Sequence, residues 1–371
     1  MPGPLEGVRV IELARILAGP WAGQTLADLG AEVIKVESPE GDDTRRWGPP
    51  FIGRADGSQD AAYFHSTNRG KASVTADFRT PEGQEKVRAL VADADVLIEN
   101  FKLGGLAKYG LDYESLAALN PRLVYCSITG FGQTGPYAHR AGYDYIIQGM
   151  SGLMSVTGPA DGAPHKVGVA VTDIVTGIYA STAILAALHE RARSGLGQHI
   201  DMALMDSAVA LMANQAMNYL ATGEAPKRLG NFHPNLAPYQ TVPCADGHII
   251  IATGNDGQYQ RLCGVLGLDE LVTEPDFVTN AARVRNREAL SDRISAATEH
   301  WDSAALLAAC EREGIPAGPI QTMDAVFADP QVIARDLMLD MDGLKGVRAP
   351  FRFSRHPLVQ GRPAPMLGED D

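Results

Sequence analysis

Asp173 is the only charged residue between Lys166 and His189, in the run VGVAVTDIVTGIYASTAILAAL. Burying an unpaired carboxylate is expensive, so this one must have a partner, cap a helix or do chemistry. The chemistry open to a carboxylate is nucleophilic or acid–base catalysis. An ordinary Asp has a pKa of about 3.9, so it is already ionised at neutral pH and needs no general base. That fits a run with no His or Lys. The simpler reading is an N-cap. Residues from about Ile174 to Arg193 read as a helix stopped by Gly195, and Asp is a favoured cap. The two roles are compatible, because a helix start stabilises anions. A buried structural ion pair is the third reading. The run is about as long as a membrane span. However, it holds an acid, threonines and glycines, and the chain has a mean hydropathy of -0.09, so a buried segment of a soluble protein is expected.

The elements that would position this residue are legible in outline. Val8 to Leu13 is a short apolar strand, Ala18 to Leu29 a helix stopped by Gly30, and Val33 to Glu37 the next strand. Pro81 to Ala92 is a helix with proline suited to its first turn. Val96 to Glu99 and Leu123 to Ile128 are further strands. Near-continuous apolar strands alternating with helices predict a parallel, doubly wound sheet. Such a sheet invites a dinucleotide-binding reading, with Glu37 ending the second strand. The turn after the first strand, ELARILAGPWAG, has no GxGxxG, and Pro20 and Trp21 stand where a pyrophosphate would need close backbone approach. Further on, Gln198 to Leu204 is strand-like, and Asp206 and Ser207 open an Ala/Met-rich helix. The Pro/Gly/Asn-rich passage 222–240 marks a domain boundary. Beyond it come a strand at His248 to Ala252 and helices around Gln258 to Leu266, Arg287 to Thr298 and Ser303 to Glu313, a smaller α+β unit. The expected layout is a large domain over 1–200, a linker helix over 201–224, a small α+β domain over 225–325, and a C-terminal return to the large domain over 326–371.

The net charge of -13 over 371 residues argues against sequence-independent binding to nucleic acid or an acidic membrane. Any anionic ligand must be held by local basic groups. The four cysteines and nine histidines show no metal-ligand or redox spacing, so no metal is expected. Few cysteines and a start, MPGPLEGVRV, without the form of a secretory signal imply a reducing, cytoplasmic setting.

Eight segments, in order along nearly the whole chain, resemble the CaiB/BaiF, or class III, CoA-transferases: 4–37, NRGKASVTADF, ADVLIENFKLGGLAKYGL, NPRLVYCSITGFGQTGPY, AGYDYIIQGMSGLMSVTG, TDIVTGIYASTAILAAL, GIPAGPI and APMLGE. The resemblance implies a Rossmann-like large domain built from both chain ends, a small domain between them, and two interlocked subunits in a homodimer. The chain stops soon after APMLGE, which implies a shortened or missing last helix. Asp173 matches the family's nucleophile. It would attack the thioester carbonyl to give a mixed anhydride and CoA thiolate, then an aspartyl-CoA thioester, and a free carboxylic acid would reverse the sequence. The oxyanions would be met by backbone amides at the helix start after Asp173 or in the glycine-bearing stretches around it.

By the same resemblance Leu17 and Ala18 line an adenine slot. Lys71, with Asn68 beside it, meets a phosphate of coenzyme A. Asn100, Phe101 and Lys102 form a binding loop, and Lys108 stands where Arg is frequent. Arg15, Arg45 and Arg46 are weaker candidates. Taken singly, each basic residue reads as a solvated surface charge. Tyr143, beside Asp144, stands where the related α-methylacyl-CoA racemases carry an acid/base His, and a phenol of pKa about 10 substitutes poorly for it. This favours a transferase over a racemase or epimerase, with Tyr143 helping to place the acyl-CoA. A non-catalytic CoA-binding module would have no need of Asp173. LGNFHPN at 229–235 lacks the glycine run of formyl-CoA transferases. Arg228, Asn231 or His233 could meet an acceptor carboxylate or serve a turn. GNDGQYQ at 254–260 suggests a dicarboxyl-CoA donor such as succinyl-CoA.

Overall fold

The computed structural model describes residues 3–54 and 56–371. In the first strand, β1 (Arg9–Glu12), Val10 enters one hydrophobic cluster and Ile11 another, and neither is exposed. A strand buried on both faces belongs inside a sheet that helices cover on both sides. Numbering only the strands of this sheet, β2 is Glu32–Glu37, β3 Ala72–Thr75, β4 Val96–Glu99, β5 Val124–Thr129 and β6 His199–Ala203. All neighbours pair in parallel, in the order 3-2-1-4-5-6. The order reverses between β1 and β4, and in such sheets ligands bind at the carboxyl ends of the strands beside that reversal.

Helix α1 (Ala18–Asp28) covers one face with Ala22 and Leu26, and α2 (Pro81–Ala92) covers the other with Val87 and Val91. The α2 bounds are those the sequence predicts. Thr80 caps it, its hydroxyl accepting from the Gly83 amide at 3.0 Å. Helix α3 (Asp144–Met150) and the long α4 (Val171–Ser194) lie between β5 and β6, and α5 (Leu204–Leu211) follows β6. α4 is long and apolar enough to cross a membrane, yet it packs as a core helix, with Ala180, Ile184 and Ala187 in the α1-side cluster. Gly177 lets α4 approach α1: a Cβ there would lie 2.7 Å from the Ala18 carbonyl oxygen. This crossing sets the first turn of α4, with Asp173, beside the start of α1. α4 ends where the sequence indicates, with Gly195 in the left-handed region at φ 79°.

Contacts divide the chain into two units. The first holds Met1–Leu153, Lys166–Ala213 and Pro330–Asp371, and the second Met154–His165 and Asn214–Asp329. The second therefore includes a segment, Met154–His165, that the sequence reading placed in the large domain. The expected linker helix over 201–224 is not one helix. β6 runs to Ala203, α5 follows, and Ala213–Thr222 is a separate helix opened by Ala213 at φ 40°. The second unit packs Val242, Ile249, Ile251, Tyr259 and Leu262 into one cluster on a three-stranded antiparallel sheet. The C-terminal segment joins the first unit. A hairpin, Met338–Met341 with Leu344–Val347, accepts from Arg69 at the Val347 carbonyl, 2.8 Å. Beyond it Val359 donates to Asp28, Gly70 to Arg362, and the Thr75 hydroxyl to Asp371. No helix follows Pro330–Ala334 among the described residues.

Candidate active site

Asp173 is the third residue of α4, not its cap. The N-cap position is Ala170, which makes no side-chain cap bond. Capping comes from another helix. The Asp144 carboxylate accepts from the Thr172 amide at 2.9 Å and the Thr172 hydroxyl at 2.7 Å, and its other oxygen accepts from Gln148 at 2.7 Å. An N-cap makes this bond to an N2 or N3 amide, and Asp144 makes it from 28 residues away. Asp173 is thereby left free of structural duty, and no hydrogen bond or ion pair involves its side chain among the described residues. The Thr172 amide, which precedes Asp173, is committed to Asp144.

The Asp173 side chain lines a cleft of about 440 Å³. The cleft lies at the carboxyl ends of β1, β4, β5 and β6, astride the reversal of strand order. Its walls are the turn after β1 (Ile16, Leu17, Ala18), the loop after β4 from Asn100 to Tyr109, and the loop from Thr129 to Tyr143. Gly130 and Gly142 close the base of that last loop, where a Cβ on Gly142 would lie 2.5 Å from the Gly130 Cα. The Asn100 amide clamps two walls together, accepting from the Arg15 amide at 2.9 Å and donating to the Arg15 carbonyl at 2.6 Å.

Of the residues singled out in the sequence, Asp173, Leu17, Ala18, Asn100, Phe101, Lys102, Lys108 and Tyr143 all line this cleft. Asn68 and Lys71 do not. Both are fully buried. The Lys71 ammonium donates to Glu12, the Pro20 carbonyl and Asn68 at 2.8–2.9 Å, so all three of its protons are spent inside the protein. Burial pulls its pKa down to about 8, although Glu12 opposes the shift. Lys35, whose ammonium also meets Glu12, shifts the other way. Burial disfavours its charge too, but Asp42, Glu12 and Glu37 outweigh that and hold its pKa above the ordinary value. Arg45 is also structural, paired with Glu37 at 2.6 Å and Asp60 at 3.1 Å. This pairing occupies Glu37, the acid that fitted a dinucleotide-binding reading. Arg46 donates to the Glu40 carbonyl at 2.7 Å.

The charge pattern of the cleft is simple. Asp173 is the one carboxylate among its described lining residues, which also include Arg15, Lys102, Lys108 and Arg140. Arg15 pairs with Asp43 at 3.2 Å. Lys102, Lys108 and Arg140 have no carboxylate partner among the described residues, and Lys108 and Arg140 lie only against tyrosine and phenylalanine rings. In a chain of net charge -13 this is a local basic patch built for an anion. Arg140 escaped the sequence reading. The signal for it was its place in a loop leaving the carboxyl end of a strand. Tyr143 is 61 % exposed at the start of α3. No histidine lines the cleft among the described residues, so Asp173 has no imidazole with which to form an acid/base pair.

Burial raises the Asp173 pKa to about 7, and the negative charge of Asp144 adds to the shift. The sequence expectation of an ordinary, fully ionised Asp is therefore corrected. Its hydrophobic setting destabilises the carboxylate and makes it a stronger nucleophile once ionised.

The acceptor-site candidates serve local structure. His233 Nδ1 accepts from the Asn235 and Leu236 amides at 3.0 and 3.1 Å. Arg228 donates to the Gly162 carbonyl at 2.8 Å, and Asn231 to the Thr241 hydroxyl at 3.0 Å. In GNDGQYQ, Asn255 caps the helix Asp256–Leu266 by accepting from the Gln258 amide at 2.9 Å, and Gln258 accepts in return from the Gly254 amide at 2.7 Å.

Comparison with known proteins agrees with this geometry. The family model for CoA-transferase family III matches residues 5–371. The chain belongs to CoA-transferase family III. A relative from Agrobacterium fabrum, named succinate–glutarate CoA-transferase, is 60 % identical over 99 % of this chain and 93 % of its own length. The mouse protein named succinyl-CoA:glutarate CoA-transferase is 44 % identical over 99 % of this chain and 84 % of its own. The crystal structure of a CaiB/BaiF family protein from Brucella suis superposes with a TM-score of 0.90 at 61 % identity, covering 100 % of this chain and 97 % of that one. The chain is thus a class III CoA-transferase, acting on an acyl-CoA and a carboxylic acid.

Proposed function

We propose that this CoA-transferase exchanges CoA between short dicarboxylic acids, with succinyl-CoA as a donor and glutarate or a similar diacid as acceptor, through covalent intermediates on Asp173. One observation carries the chemistry: an unpaired, partly buried carboxylate is the one acid among the described residues lining a cleft, at the strand-order reversal, that also carries four cations. The names of the relatives from Agrobacterium fabrum and mouse support the choice of acids.

In the first step an Asp173 oxygen attacks the thioester carbonyl, the C–S bond breaks, and CoA leaves as thiolate. The product is a mixed anhydride. The thiolate then attacks the Asp173 carbonyl, releasing the donor acid and leaving an aspartyl-CoA thioester. The acceptor carboxylate attacks that thioester to form a second anhydride. The thiolate takes up the new acyl group and restores Asp173. Forming each anhydride is uphill, but the net exchange trades one thioester for another of similar energy, so no external energy source is needed. In this reading Lys102, Lys108 and Arg140 hold the CoA phosphates and the Leu17–Ala18 turn carries the adenine, supported by their shared lining of the cleft.

We read the working form as a homodimer of interlocked subunits, supported by the family resemblance and by exposed apolar side chains such as Tyr145, Val169, Ile178 and Tyr179. Light scattering should give twice the 39.5 kDa chain mass. A cytoplasmic, reducing setting is supported by four free, buried cysteines.

The test is a panel of labelled acids incubated with succinyl-CoA and acetyl-CoA and read by mass spectrometry. Label should pass into the thioester fastest for diacids, with no solvent deuterium entering the α-carbon. Deuterium incorporation without an acceptor acid would show a racemase instead. The pH profile follows from the raised Asp173 pKa. The attacking form is the carboxylate, so kcat/KM should fall about tenfold per unit as pH drops below about 7 and level off above it. Asp144→Asn removes the neighbouring negative charge and should move this acid limb to lower pH.

A further inference from the structure

The turn from Ala14 to Pro20 leaves β1 and forms one wall of the cleft, and it rests on a cage of buried charges. Glu12, Lys35 and Lys71 are 0 % exposed and Asp42 is 1 % exposed. Lys35 donates to the Ala14 carbonyl at 2.9 Å and to Glu12 at 3.1 Å, and lies 3.0 Å from Asp42. Lys71 donates to the Pro20 carbonyl at 2.9 Å and to the same Glu12 oxygen at 2.9 Å. Asp42 accepts from the Ile16 amide at 3.3 and 3.4 Å. Two ammonium groups thus hold the carbonyls at either end of the turn, one carboxylate joins them, and another holds the middle.

What they hold is strained. Ile16 has φ 74°, in the left-handed region that a β-branched residue avoids. Such a conformation persists only where its surroundings over-determine it, and it clusters at ligand sites. The cage is also fitted to its place. A Cβ on Gly23 of α1 would lie 1.8 Å from Glu12 Oε2, so the helix leaves that carboxylate its room. None of Glu12, Lys35 and Lys71 lines the cleft, whereas Ile16, Leu17 and Ala18 do.

We propose that Glu12, Lys35 and Lys71 are positioning residues for the acyl-CoA: they never touch it, but lock the Ala14–Pro20 turn, with Ile16 left-handed, into the form that receives it. This rests on the reading of the cleft as the acyl-CoA site. The rim is then preformed, and binding need not supply the free energy to order it. If the cage is broken, Ile16 relaxes towards ordinary backbone angles and the Leu17–Ala18 surface is lost for much of the time.

The decisive test compares Lys71→Met, Ile16→Gly and the double variant, using succinyl-CoA and its 3′-dephospho analogue as donors. Lys71→Met should raise KM for the thioester about tenfold or more with kcat within about threefold, and by the same factor for both donors. Adding Ile16→Gly should recover most of that loss, because glycine takes the left-handed angles without penalty. A KM rise confined to the donor bearing the 3′-phosphate would show direct phosphate contact by Lys71 and overturn the proposal. So would an unchanged KM, or no recovery in the double variant. Where Lys71→Met fails to fold by circular dichroism, Glu12→Gln keeps the volume and is read by the same criteria. A wild-type protein that exchanges no CoA at all would overturn the functional reading rather than the cage.

Discussion

Replacing Asp173 by Asn should lower CoA exchange by at least about 10⁴-fold while making the protein more stable at pH 8. The loss of activity follows from the chemistry. Asn keeps the shape but is no nucleophile toward a thioester, and nothing else in the cleft can take its place, since Asp173 is the one carboxylate among the described lining residues. The gain in stability follows from linkage. Folding raises this acid's pKa from 3.8 to about 7, so the folded chain keeps a proton that the unfolded chain gives up. Between those values stability falls as pH rises, and above about 7 the full cost is present. A shift of roughly three units corresponds to at most about 4 kcal/mol, and solvent screening of this partly exposed group brings the expected gain to about 1–3 kcal/mol. Asp173→Asn should therefore melt several degrees higher at pH 8, and with little difference below pH 4. An equal or lower melting temperature at pH 8 would mean that the carboxylate is not destabilised in the fold.

The second large effect concerns the patch. Changing Lys102, Lys108 and Arg140 together to Ala should raise KM for acyl-CoA by about 10³-fold or more, because each charge-assisted contact to a phosphate contributes about 1.5–3 kcal/mol. KM for the acceptor acid should change less than about threefold. The fold should tolerate the change. None of the three has a carboxylate partner that would be stranded, and exposed substitutions of this kind shift stability by about 0.5 kcal/mol or less. Added salt should weaken acyl-CoA binding in the wild type and matter much less in the triple variant. If KM were unchanged, the phosphates would have to lie elsewhere.

Much of this was readable from residues close together in the chain. Pro81 after Thr80 marks the start of α2, Gly195 marks the end of α4, and the apolar run at Val96 to Glu99 is β4 as it stands. Asp173 stood out because a charge in an apolar helix must be explained. What was not readable depends on residues far apart in sequence. The cap on α4 comes from Asp144, and no local pattern distinguishes that from a cap by Asp173 itself. Lys71 reads as a free cation in NRGK until Glu12, 59 residues away, is seen beneath it. The pKa of Asp173 depends on how much protein surrounds it, and composition does not reveal that. The break at Ala213 is a single left-handed residue in a stretch whose composition favours helix throughout. In GNDGQYQ, the reciprocal bonds of Asn255 and Gln258 form the start of a helix, which the resemblance alone did not reveal.

Mass spectrometry of the intact enzyme after incubation with succinyl-CoA and hydroxylamine bears most directly on the account. The expected product is a hydroxamate at Asp173, formed only when thioester is present and absent from Asp173→Asn. Wild-type enzyme that passes CoA to glutarate at full rate, yet yields an unmodified Asp173 under the same trapping conditions, would contradict it.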